Sequence, residues 1–253
     1  MTVKLTWLPA AFLLFLSSCS KQMSEPASLS SEPADEFTTA AVPALTADRG
    51  WYGFYAGPGV YAPSDTLFAP NIIKGGFIQM PVYTYDNRDV FTGIDYDILP
   101  GHNISGDSII YEVQVKNPKD GIHSDWDVAI NIKGTTGEAY VGFVADSSYS
   151  QFTQFFVGKS SVNGAPQLVY DFENFTTLRL ILKNNRATIE LNGKSLLGFV
   201  YGAPNRIGQI KNINFGGKGY LSATSVKLLN SYTNKLLLSE TFNTNGKSTV
   251  VYH

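Results

Sequence analysis

The chain has 253 residues, a formal net charge of −2 and 43% hydrophobic residues. A near-neutral chain without a basic run lacks the electrostatic footprint of a nucleic-acid-binding protein, so we expect no nucleic-acid partner. Its single cysteine excludes an internal disulfide, and its length suffices for one domain with its own hydrophobic core.

The N-terminus has the three parts of a secretory signal. Lys4 supplies a positive charge, an apolar stretch runs from Leu5 to Leu16, and small residues follow it. This stretch is shorter than the roughly 20 residues that a membrane-spanning helix needs. The sequence therefore predicts a signal peptide over residues 1–18.

The end of this segment, Leu16-Ser17-Ser18-Cys19, resembles the bacterial lipobox, in which a branched apolar residue and two small residues precede a lipid-modified cysteine. The resemblance implies cleavage before Cys19 and acylation, palmitate included, of its thiol, so the lipid bilayer is an expected partner. Two or three acyl chains anchor a protein stably, whereas one does so only marginally. Ser20, in place of an aspartate, favours the outer membrane and leaves the leaflet open.

Residues 19–49 are rich in Ser, Pro, Ala and Glu and contain an imperfect SEPA repeat at 24–27 and 31–34. Such a composition buries too little apolar surface to fold, so we expect a flexible tether. The folded domain is then predicted over residues 50–253.

From Trp51 onward, short apolar runs alternate with turn residues. Apolar residues recur at every second position in 108–116 and 126–133, as in half-buried strands. Segment 177–201 holds three apolar runs separated by Asn184-Asn185 and Asn192-Gly193, which suit type I′ turns. Further strands are predicted at 138–144, 152–157, 167–172, 207–215, 220–229 and 235–242. The pattern predicts an all-β, antiparallel, two-sheet sandwich.

Three segments of this region have a recognisable order: Gly106–Pro118, the run ATIELNGK at 187–194, and the glycine-ended strand Ile207–Gly217. Together they resemble the concanavalin A-like, laminin-G-type (LamG) jelly roll. The resemblance covers about residues 83–242 and implies a jelly-roll sandwich, a fold that hosts many functions.

Two catalytic arrangements of that superfold are missing from the chain. Laminarinase-like hydrolases carry Glu-x-Asp-x-x-Glu on one strand, whereas Glu112 is followed here by Gln114 and Asn117. Alginate-lyase-like members use Gln-Ile-His, and this chain has Gln209-Ile210-Lys211. We therefore expect a domain that is not an enzyme.

Aromatic residues crowd the start of the domain and are candidates for ligand binding, because exposed rings stack on sugars. These candidates are Trp51, Tyr52, Tyr55 and Tyr61. Burial in the core is the favoured alternative for them, since large aromatic residues are mostly buried.

Asp95 and Asp97 alternate along one strand and form a candidate Ca²⁺ site, since carboxylate oxygens are the ligands that calcium prefers. Solvated loop carboxylates are the favoured alternative, because so short a pattern has many chance matches.

Three functions fit these observations. The leading hypothesis is an envelope-anchored, lectin-like sandwich that binds glycan or another surface ligand. A second is a structural or accessory lipoprotein that docks onto an envelope protein. A third is a glycoside-processing enzyme with an unfamiliar site.

Overall fold

The computed structural model describes residues 50–57, 60–64, 76–80, 83–85, 88–117, 128–145, 150–163, 172–218, 220–242 and 249–253. All of them belong to one compact unit, Val42–His253. Cys19, the predicted signal peptide, the predicted tether up to residue 49 and most of the predicted strand 167–172 lie outside the described residues.

The described residues form short strands joined by turns. In chain order they are β1 (Tyr52–Gly57), β2 (Val60–Ser64), β3 (Ile78–Gln79), β4 (Tyr83–Tyr85), β5 (Arg88–Asp97), β6 (Ile109–Lys116), β7 (Val128–Gly134), β8 (Glu138–Ala145), β9 (Ser150–Val157), β10 (Ser160–Asn163), β11 (Thr176–Lys183), β12 (Arg186–Leu191), β13 (Lys194–Val200), β14 (Ile210–Gly217), β15 (Ser222–Asn230), β16 (Leu236–Glu240) and β17 (Val251–Tyr252).

Among the described residues these strands form two sheets. The nine-stranded sheet has the order β10-β9-β8-β7-β14-β5-β1-β2, with β4 also paired to β5. The eight-stranded sheet has the order β13-β12-β11-β6-β15-β16-β17, with β3 also paired to β15. The pairings are antiparallel, which confirms the predicted all-β, two-sheet jelly-roll sandwich.

The core lies between the two sheets and is built by period-2 alternation. In β11, Leu178, Leu180 and Leu182 are fully buried while the residues between them are half-buried. Because successive side chains of a strand point to opposite faces, each strand contributes every second residue to the core. The buried core residues lie between Trp51 and Phe242, so the compact unit contains its own core.

Both hairpin turns of the predicted meander are confirmed. Asn184 and Asn185 have φ of 53° and 57°, and Asn192 and Gly193 have φ of 50° and 78°. Asparagine and glycine tolerate this left-handed conformation, which the type I′ turn requires at both central positions. The turns set the registers of β11 with β12 and of β12 with β13.

Glu240 ties the two sheets together at one edge of the core. It ends β16 in the eight-stranded sheet and accepts a 3.2 Å hydrogen bond from Nε1 of Trp51, the residue before β1 of the nine-stranded sheet. Its carboxylate also accepts bonds from the backbone N–H groups of Thr241, Phe242 and Thr249 and from the Thr249 hydroxyl. Both oxygens of this buried side chain therefore accept hydrogen bonds.

The outer face of the eight-stranded sheet carries a second buried carboxylate. Glu112 is only 5% exposed because Arg179 and Lys227, its neighbours on β11 and β15, contact it at 2.7 and 2.8 Å. Burial raises the pKa of Glu112, but the hydrogen bonds and charges of Lys227 and Arg179 outweigh burial and leave the pKa below its ordinary value.

Replacement of Glu240 by alanine should lower the free energy of unfolding by about 3 kcal/mol, because several buried donors lose their acceptor. Urea denaturation of the variant and the parent measures the difference. Glu190→Ala is the matched control: its carboxylate is half-buried and lies 3.8 Å from Arg179, so it should cost less than about 1 kcal/mol. Equal losses for the two variants would contradict the role of Glu240.

The Glu112 cluster should make stability depend on pH. The folded-state pKa is lowered, so the unfolded chain takes up the proton first and the stabilisation is lost as pH falls through and below 4.5. Glu112→Gln should therefore be less stable than the parent near neutral pH, and the difference should shrink in acid. Urea titrations across this range test it, and a difference that stays constant would contradict the ion cluster.

Candidate functional site

A continuous row of side chains crosses the outer face of the nine-stranded sheet. Directly paired residues of neighbouring strands point to the same face, and the pairings run from β1 through β5, β14, β7 and β8 to β9. We name this set the outer row; its members, in order across the sheet, are Tyr52, Asp95, Asn214, Asn131, Tyr140 and Phe156. Six strands spaced about 4.8 Å apart make it about 24 Å long.

The middle of the outer row is polar and buried. Asp95 is 1% exposed and Asn131 is 8% exposed, and Asn214 is buried between them. The Oδ1 atom of Asn131 is buried and has no hydrogen-bond partner among the residues that the structure describes. A buried carbonyl oxygen without a donor costs about 1–3 kcal/mol, so Asn131 Oδ1 keeps an unused capacity to accept a hydrogen bond.

A second polar row lies beside the outer row. It consists of Asp97 of β5 and Asn212 of β14, which pair two residues further along each strand. The Asn212 amide donates to Asp97 Oδ1 at 2.9 Å and to the Tyr52 hydroxyl at 3.4 Å. Asn214 donates in turn to Asn212 Oδ1 at 3.4 Å. These bonds hold the amide and carboxylate groups of β5 and β14 in fixed orientations.

Aromatic rings flank the polar centre on two sides. Tyr140 and Phe156 are stacked with their centroids 5.4 Å apart, and Phe54 and Phe91 are stacked at 5.8 Å. Burial raises the pKa of Tyr140, so its hydroxyl stays protonated near neutral pH and keeps its capacity to donate. The face thus combines apolar ring surfaces with amide and carboxylate groups.

Two glycines allow the Phe54 and Phe91 rings to lie against the sheet. A Cβ on Gly93 would lie 2.5 Å from Cζ of Phe54, and a Cβ on Gly216 would lie 2.3 Å from the backbone carbonyl oxygen of Thr92 and 2.8 Å from Cε1 of Phe91. Larger residues at these positions would push the rings away from the backbone. The rings therefore fill positions that would otherwise be gaps in the outer face.

The outer row is supported from inside the sandwich. Tyr111 of β6 in the eight-stranded sheet donates its hydroxyl to the backbone carbonyl of Asn214 at 3.0 Å. Burial, and then the charge of Asp95, raise the pKa of Tyr111 well above its ordinary value. The hydroxyl therefore remains a donor and links the two sheets beneath the polar centre.

The structure places the aromatic candidates for ligand binding in different environments. Trp51 is 2% exposed and packs against Tyr96, Phe215 and Phe242 with centroid distances of 5.2, 5.7 and 5.9 Å. Its candidacy as a binding residue is corrected, because its ring belongs to the core.

Tyr52 is half-buried and belongs to the outer row. The backbones of Tyr55 and Tyr61 lie in β1 and β2, and their side chains lie outside the described part of the chain.

Asp95 and Asp97 point to the same outer face, two residues apart on β5. Within the described ranges, no group of three or more His, Cys, Asp or Glu side chains is placed to hold a metal ion. Calcium at this pair stays a prediction. The same ranges contain no helix long and apolar enough to cross a membrane.

Sequence reasoning missed Asn131, Asn214, Tyr140 and Phe156. Alternation showed that 126–133 and 138–144 are half-buried strands, but it could not show which polar residues become neighbours. The sequence did contain one signal for these residues. Asn131 is an asparagine at an outward-facing position of the alternating segment WDVAINIK.

No protein-family profile and no curated protein sequence matches the chain. Among solved structures, the chain is similar to a family 16 glycoside hydrolase endo-glucanase from Bacteroides ovatus, with 12% identity over 73% of this chain and 97% of that one and a TM-score of 0.41. It is also similar to carbohydrate-binding module CBM66 from Bacillus subtilis, with 10% identity over 59% and 91% and a TM-score of 0.36. A Trypanosoma rangeli sialidase gives 14% identity over 74% of this chain and 31% of the sialidase, with a TM-score of 0.41.

The prediction that the domain is not an enzyme is corrected. The solved structures to which the chain is similar include an endo-glucanase and a sialidase beside a binding module, so the prediction does not stand. The absence of two known motifs was too narrow a test, because other residues place carboxylates on the outer face, as Asp95 and Asp97 do here.

Proposed function

We propose that the protein binds an extended glycan chain along the outer row of the nine-stranded sheet. The observation that carries the proposal is the register that aligns the polar side chains of Asp95, Asn214 and Asn131 on one outer face, where Asn131 Oδ1 has no hydrogen-bond partner among the described residues. Acceptor groups of this kind suit sugar hydroxyl groups, each of which is a donor.

The flanking rings support the same ligand class. Sugars present apolar C–H faces as well as hydroxyl groups, and an aromatic ring offers a large apolar surface for such a face. Tyr140 and Phe156 lie at one end of the outer row and Tyr52 lies at the other. A length of about 24 Å suits an oligosaccharide better than a single sugar.

A binding experiment tests this proposal. The fragment Val42–His253 is applied to a glycan array, and affinity electrophoresis in gels containing mixed-linkage glucan then measures retardation. Asn131→Ala should weaken binding about tenfold, the value of one good hydrogen bond.

The matched control for Asn131→Ala is Thr188→Ala, a half-buried polar position on the outer face of the other sheet. It should bind as the parent does. A blank array for the parent fragment, or equal affinities for Asn131→Ala and the parent, would contradict the proposal. Release of reducing ends from the glucan, lost in Asp95→Asn, would identify the same face as an enzyme site.

We also propose that the chain is a lipoprotein of the outer membrane, anchored through Cys19. The support is the sequence Leu16-Ser17-Ser18-Cys19 and the Ser/Pro/Ala-rich segment that follows it. Anchoring of this kind would hold the glycan-binding domain at the cell envelope.

Labelling cells with radioactive palmitate tests the anchor. The parent protein should incorporate label and partition into the detergent phase, and Cys19→Ser should do neither, because the acylated sulfur is missing. Ser28→Ala, a change within the predicted tether, should label normally. Incorporation of palmitate into Cys19→Ser at the parental level would rule out Cys19 as the attachment site.

A further inference from the structure

A second surface lies on the opposite side of the sandwich, on the outer face of the eight-stranded sheet. Here the turn between β11 and β12, the last residue of β13 and the turn after β15 come together. We name this surface the end patch; its members are Lys183, Arg186, Val200 and Tyr232.

Strand pairing places the end patch on one face. Arg186 pairs with Lys183 of β11 and with Val200 of β13, so the three side chains point the same way. Tyr232 completes the patch, because its hydroxyl donates to Asn184 Oδ1 at 2.5 Å and its ring centroid lies 5.0 Å from the Lys183 ammonium.

The apolar members are unusually open to solvent. Val200 is 70% exposed and Tyr232 is 52% exposed. Exposed apolar groups that lie together and are bordered by polar residues mark interaction surfaces. A tyrosine ring with its hydroxyl bonded at one edge presents an apolar body and a polar tip, which suits a boundary between water and lipid.

Among the described residues, the cations of the end patch have no acidic partners. Elsewhere on the same face Arg179 and Lys227 share the carboxylate of Glu112. Within the described ranges neither Lys183 nor Arg186 forms an ion pair. The chain has no basic run in its sequence, yet the fold brings these two charges together beside exposed apolar groups.

We propose that the end patch docks the domain onto an anionic phospholipid surface. Lys183 and Arg186 contact headgroup phosphates, while Val200 and Tyr232 enter the interface. The four side chains are far fewer than the roughly 20–30 residues that each partner contributes to a standard protein–protein interface, whereas a membrane surface needs only charge and shallow apolar contact. The proposal is independent of glycan binding and of acylation at Cys19.

Co-sedimentation with vesicles tests the docking. The fragment Val42–His253 should sediment with phosphatidylcholine vesicles that contain phosphatidylglycerol and should stay in solution with phosphatidylcholine alone. Each cation removed should weaken binding about fivefold, so the double variant Lys183→Ala/Arg186→Ala should lose about 25-fold. Added salt should weaken binding of the parent fragment.

Two further variants separate the charge and apolar contributions. Val200→Ser/Tyr232→Ser should also weaken binding, and thermal unfolding should show a folded protein because both side chains are exposed. Lys159→Ala/Lys194→Ala removes the same charge from two exposed positions outside the patch and should bind as the parent does. Equal loss in this control, unchanged binding by the patch variants, or parental binding to uncharged vesicles would overturn the proposal.

Discussion

The register of β5, β14 and β7 at the centre of the nine-stranded sheet is the constraint on which the structure depends. It places Ile94, Phe215 and Ile130 side by side in the core and, one residue along each strand, Asp95, Asn214 and Asn131 side by side on the outer face. A slip of one residue would exchange the two sets and put a carboxylate and two amides into the core. The same register therefore determines both stability and the candidate site.

Hydrogen bonds between the sheets preserve that register. The Tyr111 hydroxyl reaches the backbone of Asn214 from the opposite sheet, and Glu240 holds Trp51 at the start of β1. Both bonds are buried, where an unsatisfied donor is costly. Packing alone would tolerate small displacements of one sheet over the other, whereas these directional bonds favour one alignment. The outer row is consequently a rigid surface, which lowers the entropic cost of binding a ligand.

Much of the fold could be predicted from the sequence because its signals are local. Alternation in β6 and β11 and the turns at Asn184-Asn185 and Asn192-Gly193 need only neighbouring residues. The outer row could not be predicted in this way, because Asp95, Asn131 and Asn214 become neighbours only through pairing of strands far apart in the chain. Trp51 shows a related difficulty. A tryptophan can lie in a core or on a binding face, and residue type alone does not tell which.

The central claim is that glycan binds along the outer row, and backbone amide chemical shifts of the fragment Val42–His253 test it most directly. Addition of mixed-linkage glucan oligosaccharides should shift the resonances of β5, β14, β7 and β8 around Asp95, Asn214, Asn131 and Tyr140. The resonances of the outer face of the eight-stranded sheet should stay in place. Shifts confined to that opposite face, or no shifts at saturating oligosaccharide, would contradict the account.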